Sequence, residues 1–241
     1  MHDPTLNRRG FLHTCTALVA LLGYSRRAVT ASRQPFPRVA LVGSQGRPLT
    51  LADLQAEREY LFFYPYRSTP NFLLDLGRPT AQSGALRQEN GEDYSWSGGI
   101  GPQRSVVAFS AICSHRLTYP SAMVSFIGYR NRPVAYVGDN GMERKPGLIQ
   151  CCSERSVYDP AEGGRVLAGP APQPLAAVAL EEEDGQLYAH GVHGGTLFER
   201  FFAEFGFQLE MQFDGKAQEL VADQAVVMAT EDFTRQRMDC G

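Results

Sequence analysis

No run of 18 apolar residues occurs in the 241-residue chain, which excludes a protein crossing a membrane repeatedly through helices. Positive charge is not in surplus either. The 23 Lys and Arg stand against 26 Asp and Glu, a formal charge of −3. The composition therefore lacks the phosphate-neutralising surface on which nucleic-acid binding rests. Tryptophan occurs once, and five cysteines are too few for a disulfide-dense scaffold. Internal repeats and low-complexity segments are missing. Turn-forming residues, by contrast, are plentiful: 24 Gly and 15 Pro make up about 16% of the chain, against roughly 12% in average usage. Many turns and short strands are expected. With 43% apolar residues, a chain of this length can bury about 70% of its unfolded surface. One folded domain with appendages is expected rather than disorder.

The opening residues read as an address. Arg8-Arg9 is followed by Phe11-Leu12, a weakly apolar stretch from Thr14 to Gly23, Arg26-Arg27, and the small residues Ala28-Val29-Thr30-Ala31. The apolar stretch is too short and interrupted for a comfortable span. The segment resembles a twin-arginine export signal cleaved after Ala31. That resemblance implies a periplasmic protein, free or associated with the inner membrane, folded before export and often carrying a cofactor. Removal of 1–31 takes away four Arg, one Asp and Cys15, moving the charge from −3 to −6. It leaves residues 32–241 as one domain with no further transmembrane span.

Along that domain, Val39–Val42, Tyr60–Tyr64 and Ser105–Phe109 read as strands, and 66–104 as loop-rich. Val124–Tyr129 and Val134–Val137 suggest a hairpin around Asn131-Arg132-Pro133. Leu148–Gln150 leads as a strand into a Cys pair, and Leu175–Leu180 pairs with Leu187–Ala189 across the turn dipeptide Asp184-Gly185. Phe198, Phe201, Phe202 and Phe205 fall at i, i+3, i+4 and i+7, one face of a helix. Leu209, Met211 and Phe213 then alternate with polar residues, a half-buried strand. The expected class is mostly β, with one C-terminal helix.

The chemistry sits in three boxes. Cys113-Ser114-His115 follows a strand end, and residues i and i+2 share a side in extended chain; a thiolate and an imidazole suit iron or zinc. The second box is Cys151-Cys152-Ser153-Glu154-Arg155-Ser156-Val157-Tyr158-Asp159. The third is Gly169-Pro170-Ala171-Pro172 before Leu175. In order and strand context, over about 104–190, these boxes resemble Rieske-type [2Fe–2S] proteins. That family carries Cys-x-His, Cys-x-x-His-Gly-Ser-x-Tyr and a Gly-Pro-Ala-Pro loop, with two Cys on one iron and two His on the other. The resemblance implies an antiparallel Rieske-like β-sandwich with a cluster-binding subdomain. It implies metal ligands at Cys113, His115 and Cys151. Ser156 and Tyr158 would be hydrogen-bond donors to the cluster, and Pro170 and Pro172 would belong to its lid.

The second box departs from the pattern. With Ser156 and Tyr158 setting the register, Cys151 is the third ligand and Glu154 stands where the second His belongs. With Cys152 as third ligand, Arg155 takes that place and cannot ligate. A carboxylate can hold ferric iron. Thr118 and Ser153 occupy the positions of the disulfide that ties the two ligand loops in high-potential members. Three readings stay open: a periplasmic electron-transfer protein or small redox subunit, a cluster-free scaffold of the same fold, and a mononuclear site built on Cys113, His115 and Cys151. The first implies a redox partner, such as a cytochrome or an oxidoreductase large subunit, docking at a tip carrying Arg116 and Arg155. It implies no independent catalytic site. His190 and His193, in a Gly-rich stretch after a strand, are a replacement ligand, a second metal site, or solvent-facing residues. Cys240 is free or paired.

Overall fold

The computed structural model describes residues 33–240; the expected export signal over 1–31 lies outside them. An eight-stranded sheet runs β16 (Gln224–Val226), β1 (Gln34–Val42), β15 (Gln186–His193), β14 (Ala177–Glu183), β6 (Val106–Ser110), β3 (Pro70–Asp75), β2 (Glu59–Phe63) and β17 (Met228–Ala229). All neighbours are antiparallel except β1 with β16. Its central strands are apolar at nearly every position because both faces are covered. Side-chain alternation sorts each strand between two cores. Phe62, Leu73 and Ala108 point into one core, with Leu197, Phe198 and Phe201 of α1 (Thr196–Gln212). Leu61, Phe72, Leu74, Val107 and Phe109 point into the other.

That second core is shared with a four-stranded sheet in the order β13 (Arg165–Ala168), β12 (Val157–Asp159), β11 (Leu148–Cys151) and β8 (Ile127–Arg130). Cys113, Cys151 and Tyr158 belong to this core: Cys151 and Tyr158 sit on the small sheet, and Cys113 follows β6 of the large one, so the chemistry-bearing residues meet between the two sheets. Three two-stranded ribbons complete the fold: β4 (Ser83–Arg87) with β5 (Asp93–Trp96), β9 (Val134–Gly138) with β10 (Gly141–Lys145), and β7 (Val124–Ser125) with β18 (Gln236–Arg237). A short helix, α2 (Thr230–Phe233), precedes β18. The architecture is the mostly-β, two-sheet fold expected. No helix among the described residues is long and apolar enough to cross a membrane.

Three local expectations are corrected. Residues 66–104 hold β3, β4 and β5. The hairpin around Asn131-Arg132-Pro133 does not form: β8 pairs with β11 and β9 with β10, because β8 finds a partner on the buried sheet and β9 a nearer one through the turn at 139–140. Residues 209–212 continue α1 instead of forming a strand. Leu209 is fully buried while Met211 is 70% exposed, so the two do not share the face a strand would give them; Leu209 extends the Phe198, Phe201, Phe205 stripe by one more turn. The pairing of β14 with β15 across Asp184-Gly185 is as expected, Glu183 opposite Gln186.

Candidate iron-sulfur centre

The first loop leaves the end of β6 and folds back on itself: the Leu117 amide donates to the Cys113 carbonyl (2.8 Å) and the Cys113 amide to the Thr118 carbonyl (2.9 Å). The second loop joins antiparallel β11 and β12, where Ile149 stands opposite Tyr158. Cys151 closes β11, and its amide donates to the Ser156 carbonyl (2.9 Å). The third loop presses onto the second. A Cβ on Gly169, at φ +88°, would stand 2.6 Å from the Ser156 Cα, so a side chain is excluded by both conformation and space.

This packing brings Cys113, Cys151 and Tyr158 together, all buried. The Cys151 thiol hydrogen-bonds Cys113, and the Tyr158 hydroxyl lies 3.3 Å from the Cys113 sulfur. The Cys113 thiol is pulled down to about 6, first by the hydrogen bond from Cys151, then by Tyr158 and the amides of His115 and Arg116, against burial. Cys151 is pushed up, first by its hydrogen bond with Cys113 and then by burial. Burial, with Cys113 alongside, raises Tyr158 as well, so it remains a donor.

Hydrogen counting sharpens that contact. Ser114, missed at the sequence level, donates its hydroxyl proton to the Gln173 carbonyl (2.6 Å), and its amide donates to the Tyr158 oxygen (3.2 Å). The single Tyr158 proton is then divided between Cys113 and the Ser114 oxygen, 3.2 Å away. Arg200 of α1 donates to the Ser114 carbonyl (2.9 Å) and pairs with Glu89 (2.7 Å). The first loop is thus fixed from the small sheet, the Pro loop and the helix.

His115 and Glu154 face each other across the loops, Nδ1 to Oε2 3.7 Å. Arg116 Nε donates to the other Glu154 oxygen (2.7 Å). Pro170 and Pro172 are exposed on the third loop, above a buried Gln173. Among the buried polar atoms without a hydrogen-bond partner are three at these loops, His115 Nδ1, Ser156 Oγ and Gln173 Nε2. Buried polar atoms are rarely left unpaired. An iron would satisfy the ring nitrogen, and an inorganic sulfide would satisfy the hydroxyl.

Cys152 is the correction among the ligands. It is disulfide-bonded to Cys240, 88 residues away, with Cα atoms 5.0 Å apart. Its sulfur is committed to that bond and is not a ligand, whereas Cys113 and Cys151 are free thiols. Parity could have found this: once two of the four remaining cysteines ligate metal, the other two are left to pair. Among the described residues, no three His, Cys, Asp or Glu side chains converge as a single metal ion requires. A two-iron cluster asks for two protein ligands per iron. Two thiols and one imidazole fit such a cluster; the fourth position offers a carboxylate.

The three loops resemble the Rieske pattern in order and strand context, and the chain is similar to proteins of that class. No family model matches it. Its likeness to the iodate reductase subunit IdrB of Denitromonas iodatirespirans is 27% identity over 197 residues, 78% of this chain and 82% of that one. Solved structures also match, among them these two. One is the soluble domain of the Rieske protein II (soxF) from Sulfolobus acidocaldarius, 26% identical, with TM-score 0.43 over 65% of this chain and 78% of that one. The other is the quaternary ammonium Rieske monooxygenase CntA, 10% identical, with TM-score 0.34 over 71% of this chain and 38% of that one.

Proposed function

We propose that the protein is an exported electron-transfer subunit in which Cys113, Cys151, His115 and Glu154 hold a [2Fe–2S] cluster. The observation that carries this reading is the buried contact of Cys113, Cys151 and Tyr158 beside two unpartnered polar atoms, Ser156 Oγ and His115 Nδ1. Such a cluster supplies one-electron transfer. The chain's own contribution is to hold two thiols out of water and to donate hydrogen bonds from Tyr158 and Ser156, which favour the more negative, reduced state. The exposed Pro170 and Pro172 cover the loops.

The likeness to a reductase subunit supports a larger oxidoreductase partner, with a cytochrome as the alternative. Arg155 is exposed at the tip of the second loop, whereas the Arg116 charge is offset by Glu154. Export rests on Arg8-Arg9; replacing both by Lys is expected to hold the protein in the cytoplasm, and undiminished periplasmic protein would refute the signal. The domain boundary at 31/32, with a cluster-binding part at about 104–190, is part of the same proposal.

One observation favours the cluster-free scaffold instead: Glu154 already has a counter-ion in Arg116. Iron and acid-labile sulfide, measured on protein purified without oxygen, separate the two. Two irons and two sulfides per chain are expected, with cluster lost in Glu154→Ala and its potential raised in Glu154→His, because imidazole is the softer ligand. No iron in the native protein and none gained by Glu154→His would leave the scaffold.

A further inference from the structure

His190 and His193 line a cavity of about 380 Å³ that none of Cys113, His115, Cys151 or Glu154 reaches. In a regular strand, residues three apart point to opposite faces. Here β15 carries a bulge: Ala189 to Val192 advances three residues while its partner β14 moves two, from Leu180 to Val178. A bulge re-aims side chains, and both imidazoles line the same cavity.

Two guanidiniums join them, Arg33 and Arg104. Each lies in a notch left by a glycine. A Cβ on Gly191 would stand 2.7 Å from Arg33 Cδ, and one on Gly98 would stand 2.6 Å from Arg104 Nη2. Arg33 Nη1 donates to His190 Nδ1 (2.8 Å), and Arg104 donates to the Ser97 carbonyl; neither has a carboxylate partner among the described residues. His193 Nδ1 is buried without a partner, its ring stacked on Tyr94 at 5.8 Å. No carboxylate belongs to the cavity wall. The nearest, Glu181, stands 3.9 Å from His190 Nε2 and is already paired with Arg38. Burial first, then the Arg33 charge, lowers both imidazoles, with Glu181 acting the other way on His190.

We propose that this cavity binds a small oxyanion, with Arg33 and Arg104 supplying charge and planar donor forks, His193 supplying a ring N–H donor, and His190 holding Arg33 in place. The site is independent of whether the loops hold a cluster.

Trp96, the chain's single tryptophan, lines the cavity and reports on it. The full chain is titrated with sodium sulfate and, separately, with sodium malonate, at ionic strength held constant with chloride. Trp96 emission and the thermal midpoint are followed. A saturable response to either anion is expected, weakened at least tenfold in Arg104→Gln and in His193→Gln, and partly kept in Arg104→Lys. The arm that saturates at lower concentration tells an inorganic oxyanion from a carboxylate. A response that follows ionic strength alone, the absence of any response, or an unchanged response in both Gln variants would overturn the site. Arg104 is exposed, so its variants retain the fold; a shared midpoint in chloride verifies this.

Discussion

The two ligand loops are anchored by opposite means. The Cys113 loop is held from inside by hydrogen bonds: Tyr158 from the small sheet, Gln173 from the Pro loop and Arg200 from α1 all meet at Ser114. The Cys151 loop is held from outside by a covalent strap, Cys152 to Cys240. The strap belongs to a tail that is itself well fixed. β18 lies parallel to β7, Met238 accepts from Arg130 (2.6 Å), and Arg237 stands 3.1 Å from the buried Glu59. Measured against the Rieske pattern, the first loop has the full Cys-x-His, whereas the second has Glu154 at the His position; Thr118 and Ser153 stand where a disulfide would join the two. Where internal constraint is missing, the chain supplies an external one. The loop that departs from the pattern is therefore the one stabilised by distant sequence.

The largest effect should come from cutting the strap. A disulfide typically contributes about 2–4 kcal/mol, and a loop as long as this one lies at the upper end. Cys240→Ser is expected to lower unfolding free energy by that amount in urea, and Cys152→Ser/Cys240→Ser to lower it no further. Iron bound after refolding should fall as well, since Cys151 neighbours the strap. Full stability and full iron content in Cys240→Ser would show that the second loop holds itself, and the contrast between the loops would fail.

Next comes the contact that joins the loops from within. Tyr158→Phe removes a buried hydroxyl with three partners and leaves the Ser114 amide unpaired, a cost of about 1–3 kcal/mol. In the loaded protein the reduction potential should fall, because a donor to the Cys113 sulfur is lost. Ser114→Ala has a smaller stability cost, about 1 kcal/mol, and the opposite sign in potential. With the Ser114 oxygen gone, the Tyr158 proton belongs to Cys113 alone, and the potential should rise. Electrochemistry on both variants checks the pair. If both potentials fall, Ser114 does no more than hold the loop in place.

The sequence made the first loop legible and the second only in part, for a physical reason. Cys113, His115, Ser156 and Tyr158 lie in short local patterns whose strand context is itself local, and the Asp184-Gly185 turn declares its own hairpin. The Cys152–Cys240 bond spans 88 residues and exists only because β18 docks on β7, a two-residue pairing with no periodicity to read. β4 and β5 sit among glycines and prolines that mask their short alternation. β9 and β10 form a ribbon by themselves, so the apolar run at 134–137 was assigned to the wrong neighbour. Leu209 was misread because Leu209, Met211 and Phe213 alternate as a strand does, although Leu209 also continues the helical stripe.

The smallest effect concerns the guanidinium–carboxylate pair between the loops. Arg116 to Glu154 (2.7 Å) crosses where Thr118 and Ser153 stand instead of a disulfide, and its side chains are 62% and 41% exposed. An exposed pair is worth about 0–1 kcal/mol and is screened by salt. Arg116→Gln should therefore leave stability nearly unchanged. It should still matter to the centre: a positive charge is removed beside Glu154, and the reduced, more negative state loses its support. The potential should fall slightly at low ionic strength, and the difference from the native protein should shrink as salt rises. A shift that persists undiminished in high salt would mean that Arg116 acts through fixed geometry at Glu154 rather than through charge. The pair would then be a second strap of the Cys151 loop, and the contrast between an inner and an outer anchor would have to be redrawn.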